Sequence, residues 1–216
     1  MMGIALLHGW GLGPTAWSGW AEAFPERPVA LLDAGYFGPR QLCLPHNAEG
    51  WLGIGHSLGF AQLLGMNQPW RGLIGLGAFL RFCSGPGQPM GTPPETLDAM
   101  TARLDVDPQD VLTRFLRRCG LKGQQVKGPG PEGLTRLKDD LGILRGLDVL
   151  TPPQTPPTLL LHAQDDRIAP LPLAEEARQR LPGARLHVFP TGGHALPQTR
   201  TEDSLALCRE FLHALD

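Results

Sequence analysis

The segment Gly55-His56-Ser57-Leu58-Gly59 is built to present a hydroxyl group. Apolar Trp51-Leu52-Gly53-Ile54 precedes it and Phe60-Ala61-Gln62-Leu63-Leu64 follows, which reads as strand, tight turn and helix with Ser57 at the apex. Glycines flank the serine because strand and helix approach too closely there for a β-carbon. A serine hydroxyl is a poor nucleophile at neutral pH. It needs a base within hydrogen-bond reach, and the base needs a carboxylate to orient it.

Two downstream loops offer those groups. His194 lies in Thr191-Gly192-Gly193-His194, just past Leu186-His187-Val188-Phe189. Asp165 and Asp166 follow the apolar run Leu159-Leu160-Leu161-His162-Ala163. His194 would take the Ser57 proton and return it to a leaving alcohol, while Asp166 would hold the imidazole tautomer. Asp165 competes for the acid role, and one of the two carboxylates is then a solvated loop group. Among the other histidines, His8 precedes Gly9 and suits a loop-holding role, and His56 points away from the nucleophile. His46, His162, His187 and His213 lack a glycine-rich context and suit structural or surface roles.

A tetrahedral intermediate needs two fixed N–H donors for its oxyanion, each worth roughly 2.7–4 kcal/mol in the barrier. Leu58, the residue after the serine, is one candidate. Trp10, in His8-Gly9-Trp10-Gly11 after the first apolar run, is the other. Plain core packing is the competing account of the Trp10 side chain, and its backbone can donate in either case.

Residues 111–130 carry Arg114, Arg117, Arg118, Lys122 and Lys127 and no acid. Arg114 and Arg118 share a helix face at this spacing. Two readings stand side by side: a solvated helix face with arginines favoured near its C-terminus, or a docking patch for an acidic partner or acidic substrate.

These groups must be positioned by a scaffold, and the apolar runs indicate which. Gly3 to His8, Pro28 to Asp33, Gly50 to Gly55, Gly72 to Phe79, Thr158 to Ala163 and Ala184 to Phe189 read as six strands buried on both faces. Helical patterns at Pro172 to Leu181 and Glu202 to Leu215 alternate with them. The expected class is α/β: a mostly parallel sheet of about six strands with helices on both faces. From about Arg81 to Thr155 the rhythm breaks between two proline- and glycine-rich stretches, of which the second runs from Thr151 to Pro157. Within it, Pro108 to Cys119 with Asp107 as N-cap, and the stripe Leu134, Leu137, Leu141 and Leu144, predict two helices. The stretch reads as a helical lid inserted into a single domain of residues 1–216.

Length suits one sizeable core. A net charge of -2 and a pI near 6.4 give no basic field for nucleic acid. No apolar run approaches the ~20 residues of a membrane span, and the N-terminus lacks the basic flank of a signal peptide. Cys43, Cys83, Cys119 and Cys208 are scattered without metal-like or redox-like spacing, as expected for free thiols in a reducing cytoplasm. No metal or cofactor is called for, and a monomer is expected.

The order serine, acid, histidine is that of the α/β-hydrolases, and the chain resembles them over nearly its whole length. Within them it is most similar to the pimeloyl-acyl-carrier-protein methyl ester esterases of biotin synthesis. The matching pieces are Leu6-Leu7-His8-Gly9-Trp10-Gly11 with Trp17, Trp51-Leu52-Gly53 and the serine turn, Leu141-Gly142-Ile143-Leu144-Arg145 with Asp148, Asp166-Arg167-Ile168-Ala169-Pro170, and Gly193-His194-Ala195. The resemblance implies Ser57 as nucleophile, Asp166 as acid, His194 as base, and Trp10 and Leu58 as oxyanion donors. It also implies that Arg114, Arg117, Arg118 and Lys122 dock an acyl carrier protein bearing a pimeloyl methyl ester. The chain departs from the family in two places. Ala34 to Glu49 shows no helical period, so the usual helix there is expected to be a loop, and the family's leading hairpin is not expected before the first strand. The trimming bears on pocket shape and substrate. A thioesterase or general short-acyl esterase, and a non-catalytic carrier-binding module, are the alternatives.

Overall fold

The computed structural model describes residues 1–124, 127–149 and 155–216. Six strands form one parallel sheet: β1 (Gly3–Leu7), β2 (Val29–Leu32), β3 (Trp51–His56), β4 (Trp70–Leu76), β5 (Thr158–Ala163) and β6 (Arg185–Phe189), in the order β2-β1-β3-β4-β5-β6. Each lies within a few residues of its expected span. The largest departure is β4, which begins at Trp70 and ends at Leu76, because Gly77 adopts a positive φ of 58° and turns the chain out of the sheet.

Side chains alternate across the sheet as a period of two requires. Ile4, Leu6, Leu52, Ile54, Leu159 and Leu161 pack with Trp17, Trp20 and helix α7 (Thr201–His213) on one face. Ala5, Leu7, Leu73 and Leu160 pack with α1 (Leu58–Gly65) and α5 (Leu171–Arg180) on the other. The connection from β2 to β3 contains no helix, and Leu42, Leu44 and Ala48 of this loop cover the α1 face instead. A single 3-10 turn, Pro14–Trp17, follows β1, and a four-residue helix α6 (Leu196–Thr199) precedes α7.

Between β4 and β5 the chain leaves the sheet and forms three helices, α2 (Pro94–Leu104), α3 (Pro108–Arg118) and α4 (Pro131–Gly146). Only two of them were expected. The pattern of α2 is weak because just two of its residues, Leu97 and Leu104, are buried. Helix α3 begins where its cap predicts, with the Asp107 carboxylate accepting the Asp110 N–H at 2.9 Å. The insertion closes on itself where the Val149 N–H donates to the Leu80 carbonyl at 2.9 Å. Thr151 to Gln154, in the proline-rich return, lie outside the described residues. The three helices share a core with Trp10, Tyr36, Leu58 and Ile168, residues at the carboxyl ends of the strands, so the insertion sits over the sheet edge where sites collect.

Candidate active site

Ser57 stands alone between the end of β3 and the start of α1, with φ 54° and ψ −124°, and it is the one non-glycine residue with positive φ among the described residues. Such a conformation costs about 1–3 kcal/mol and persists only where the surroundings enforce it. Here they do. A β-carbon on Gly55 would lie 2.4 Å from the Phe60 Cα, and one on Gly59 would lie 2.5 Å from the carbonyl oxygens of Leu7 and His8. The Ser57 N–H donates to the Leu76 carbonyl at 2.9 Å, which ties the turn to the end of β4. The next residue, Gly77, leaves room for the His194 ring, whose Nδ1 would lie 3.1 Å from a β-carbon there.

Asp166 lies in the loop after β5 and is buried. Its Oδ1 accepts the N–H groups of Ile168 at 2.8 Å and Ala169 at 2.9 Å, and its Oδ2 lies 2.7 Å from the Nδ1 of His194. Burial alone would raise its pKa, but the charge of and hydrogen bond to His194, with His162 and the Ala169 N–H, outweigh it and hold the carboxyl below its ordinary value. The group is therefore an acceptor at neutral pH, so Nδ1 of His194 carries a proton toward it, and in the neutral ring the lone pair is on Nε2. His162 is also fully buried. Its Nε2 donates to the Ala169 carbonyl at 2.8 Å and lies 3.6 Å from Asp166 Oδ2. Burial lowers its pKa, so it braces the acid loop as a neutral ring.

His194 is wholly buried in the loop after β6. Its own N–H and that of Ala195 both donate to the Cys119 carbonyl at 3.1 Å, at the end of α3. Its carbonyl accepts from His56 Nε2 at 2.9 Å. Nε2 makes no hydrogen bond among the described residues, so the structure joins Asp166 to His194 but leaves the link from Nε2 to the Ser57 hydroxyl unmade. Bonds of this kind are often long in unliganded sites and tighten around substrate. Asp165 is exposed but is more than a solvated carboxylate, because its Oδ1 accepts the Gly193 N–H at 2.8 Å and steadies the histidine loop.

The loop after β1 crosses the turn closely: a β-carbon on Gly9 would lie 3.0 Å from the Ser57 Cβ. His8 pins this loop, with Nδ1 on the Gly9 carbonyl at 2.9 Å and Nε2 accepting from the Ala34 N–H at 3.1 Å. The Trp10 indole is packed in the core, edge-on to Phe115 with 4.8 Å between centroids, and donates to the Leu137 carbonyl at 2.8 Å. The backbone N–H groups of Trp10 and Leu58 donate to no acceptor among the described residues. Leu58 opens α1, where N–H groups lack intrahelical partners.

A cavity of about 880 Å³ opens above Ser57 and Trp10. Leu97 and Met100 of α2, Val111 and Phe115 of α3, and Leu141 and Leu144 of α4 supply apolar wall. Arg103, Arg114, Arg118 and Arg167 also line it, against only Glu95 and Asp110. Arg114 is not a free cation: its Nε lies 2.8 Å from Asp110 Oδ1, and Arg103 approaches the same carboxylate at 3.7 Å. The i, i+4 spacing that put Arg114 on the face of Arg118 also put it one turn from Asp110. Arg117 and Lys122 are exposed, are not among the cavity's lining residues, and form no ion pair among the described residues.

No family model matches the chain. It is 27% identical to a pimeloyl-[acyl-carrier protein] methyl ester esterase of Aromatoleum aromaticum, over 97% of both chains. It is 24% identical to a 2-hydroxy-6-oxo-2,4-heptadienoate hydrolase of Pseudomonas putida, over 99% of this chain and 90% of the relative. Among solved structures, an esterase of Exiguobacterium antarcticum superposes with a TM-score of 0.82 at 17% identity, covering 99% of this chain and 92% of the other. The fold is that of the α/β-hydrolases. By sequence the chain resembles the pimeloyl-carrier-protein methyl ester esterases, and the relatives named here are esterases and hydrolases. No helix among the described residues is long and apolar enough to cross a membrane, and no cluster of three or more His, Cys, Asp or Glu is placed there to hold a metal ion.

Sequence reasoning missed three supports of the site. The His56 donor and the Asp165 acceptor both lie next to residues it singled out. The Cys119 carbonyl leaves no signal in the sequence, because a main-chain acceptor has no residue type.

Proposed function

We propose that the chain is a cytoplasmic serine carboxylesterase whose nucleophile is Ser57, base His194 and orienting acid Asp166. The observation that carries this reading is the buried His194–Asp166 pair at 2.7 Å, bonded through the His194 carbonyl to His56, the residue before the cavity-lining Ser57. The Ser57 hydroxyl attacks the ester carbonyl and passes its proton to Nε2 of His194. The negative oxygen of the intermediate is met by the N–H groups of Trp10 and Leu58. As the intermediate collapses, His194 protonates the departing alkoxide, which leaves as an alcohol, and the acyl group stays on Ser57. Water, deprotonated by the same imidazole, then releases the acid and restores the serine. The insertion acts as a lid that keeps these steps dry.

The substrate we infer is the methyl ester of a pimeloyl chain on acyl carrier protein, as the name of the A. aromaticum relative suggests. The apolar wall suits a chain of methylenes, at roughly 0.8 kcal/mol for each one buried. The acidic carrier docks on Arg117, Arg118 and Lys122, with Arg114 contributing less because Asp110 already neutralises it. The test compares hydrolysis of carrier-bound methyl ester with that of free p-nitrophenyl butyrate, in the native protein and in Arg117→Glu/Lys122→Glu, both outside the cavity lining. The reading expects the double variant to lose carrier-ester turnover about 10-fold or more while free-ester turnover is kept. Equal loss on both substrates, or a native preference for the free ester, leaves a general short-acyl esterase or thioesterase. Failure of the native protein to react with a fluorophosphonate at Ser57 leaves a non-catalytic carrier-binding module.

A further inference from the structure

His56 has no role in the reaction derived above, yet it is fully buried and placed between its two main actors. It is the residue immediately before Ser57, and its ring centroid lies 4.9 Å from that of His194. Its Nε2 donates to the His194 carbonyl at 2.9 Å. A carbonyl can only accept, so this bond fixes the proton on Nε2 and leaves Nδ1 bare. Nδ1 is buried without a hydrogen-bond partner, and the Gly9 backbone closes over it so tightly that a β-carbon on Gly9 would lie 2.8 Å away. Burial first, and the neighbouring His194 second, push the His56 pKa down to about 3, so the ring stays a neutral donor throughout the working range.

We infer that His56 is a positioning residue: it fixes the backbone of the base His194 to the turn that carries the nucleophile, and so sets the distance between Nε2 of His194 and the Ser57 hydroxyl. The proposal rests on the proposed function, in which these two groups exchange a proton. Its physical basis is the route of the connection. His194 sits on a loop after β6, at the far edge of the sheet from β2, whereas Ser57 sits on the central β3. The other hydrogen bonds of His194 run to the insertion, through Cys119, to the β5 loop, through Asp166, and within its own loop, where the Leu196 N–H shares the His194 carbonyl at 3.0 Å. Among the hydrogen bonds of His194 in the described residues, only the one from His56 reaches the element that bears Ser57. A displacement of about 1 Å between reacting groups can lower turnover about 100-fold.

The test uses His56→Gln, His56→Asn and His56→Phe, with p-nitrophenyl butyrate as substrate and Ser57→Ala as the floor. A glutamine amide nitrogen can take the place of Nε2 and keep the donor, an asparagine nitrogen falls at the level of Nδ1 and cannot, and phenylalanine keeps only the volume. We expect His56→Phe and His56→Asn to lose about 10- to 100-fold in kcat with KM within twofold, and His56→Gln to recover to within about threefold of native. The rate of fluorophosphonate labelling at Ser57 should follow kcat across the series. Native turnover in His56→Asn or His56→Phe, or a glutamine no better than asparagine at equal thermal stability, overturns the inference. If His56→Phe does not fold, the glutamine and asparagine pair still decides. A native protein with no Ser57-dependent turnover overturns the proposed function as well, whereas an active native protein with indifferent His56 variants overturns this inference alone.

Discussion

Asp166→Asn separates a carboxylate that sets a tautomer from one that merely fills space. Oδ1 of Asp166 faces two backbone donors, the N–H groups of Ile168 at 2.8 Å and Ala169 at 2.9 Å. Turning an amide nitrogen toward them would oppose donors to donors, so the asparagine oxygen must stay in the Oδ1 place. The NH2 group then replaces Oδ2, 2.7 Å from His194 Nδ1. Nδ1 is forced to accept, the ring proton moves to Nε2, and no lone pair remains for the Ser57 proton. In triads of this type the wrong tautomer lowers kcat roughly 10,000-fold, which is about 5.4 kcal/mol at 1.36 kcal/mol per decade.

Steady-state hydrolysis of p-nitrophenyl butyrate measures this, with Ser57→Ala setting the background. Asp165→Asn is the control: it keeps an oxygen for the Gly193 N–H, so its turnover should stay within about threefold of native. Stability gives an independent readout. The Asp166 pKa is held below its ordinary 3.8 in the folded state, so its contribution is present above that value and lost as pH falls through the folded pKa. The gap in Tm between native protein and Asp166→Asn should therefore close on acidification below about pH 4. Turnover of Asp166→Asn within tenfold of native, or a larger loss in Asp165→Asn, would refute the assignment.

Gly59→Ala places a β-carbon 2.5 Å from two backbone carbonyl oxygens and should cost at least about 3 kcal/mol, or roughly 6–12 °C in Tm; an unchanged melting curve would show that the helix can back away from β1. Trp10→Phe removes the indole donor to Leu137 while keeping an aromatic edge toward Phe115, and should cost about 1 kcal/mol of stability with a larger effect on kcat than on KM; loss confined to KM would separate the side chain from the oxyanion loop. Burial raises the pKa of Asp140, whose carboxylate accepts the Tyr36 hydroxyl, so stability is lost as pH rises through its folded value. Asp140→Asn can still accept that hydroxyl and should melt higher than native at pH 8, with the difference gone near pH 3; the reverse trend would count against the sign worked here.

The edge strands β2 and β6 are partly exposed, contrary to the expectation of burial on both faces, because among the described residues no further strand or helix covers them fully. Strands β1, β3 and β5 were legible because each is an apolar run buried along its whole length, and a buried parallel strand has little freedom to read otherwise. Thr158–Ala163 has its expected bounds for that reason. Helix α3 was legible from its cap, Asp107 and Pro108. Helix α2 was not, because its apolar row is a short one, Leu97, Met100 and Leu104, of which only Leu97 and Leu104 are fully buried. The order of serine, acid and histidine was readable, and so was the clash that demands Gly55 and Gly59. What the sequence hid is the bonding among the loops. Asp165 read as a spare carboxylate because an acceptor for a backbone N–H needs only proximity, which local sequence does not encode. Arg114 read as a free cation because the reading of residues 111–130 began one residue past its partner, Asp110.

The insertion and the His194 loop share hydrogen bonds, and in the proposed reaction these would link substrate binding to proton transfer. Val111 and Phe115 of α3 face the cavity, while Cys119, one residue past the end of the same helix, holds both the His194 and Ala195 N–H groups through its carbonyl. A β-carbon on Gly193 would meet that carbonyl at 2.9 Å, so helix end and histidine loop are in close contact as well as hydrogen-bonded. A helix packed through Leu112 and Leu116 moves as a body, because packed interiors do not deform one residue at a time. Any ligand that displaces α3 must therefore strain or carry the loop of His194, whose carbonyl is bonded to His56 beside the nucleophile. In the proposed reaction, the wall that would hold the acyl chain and the base that would act on it are therefore set by the same helix.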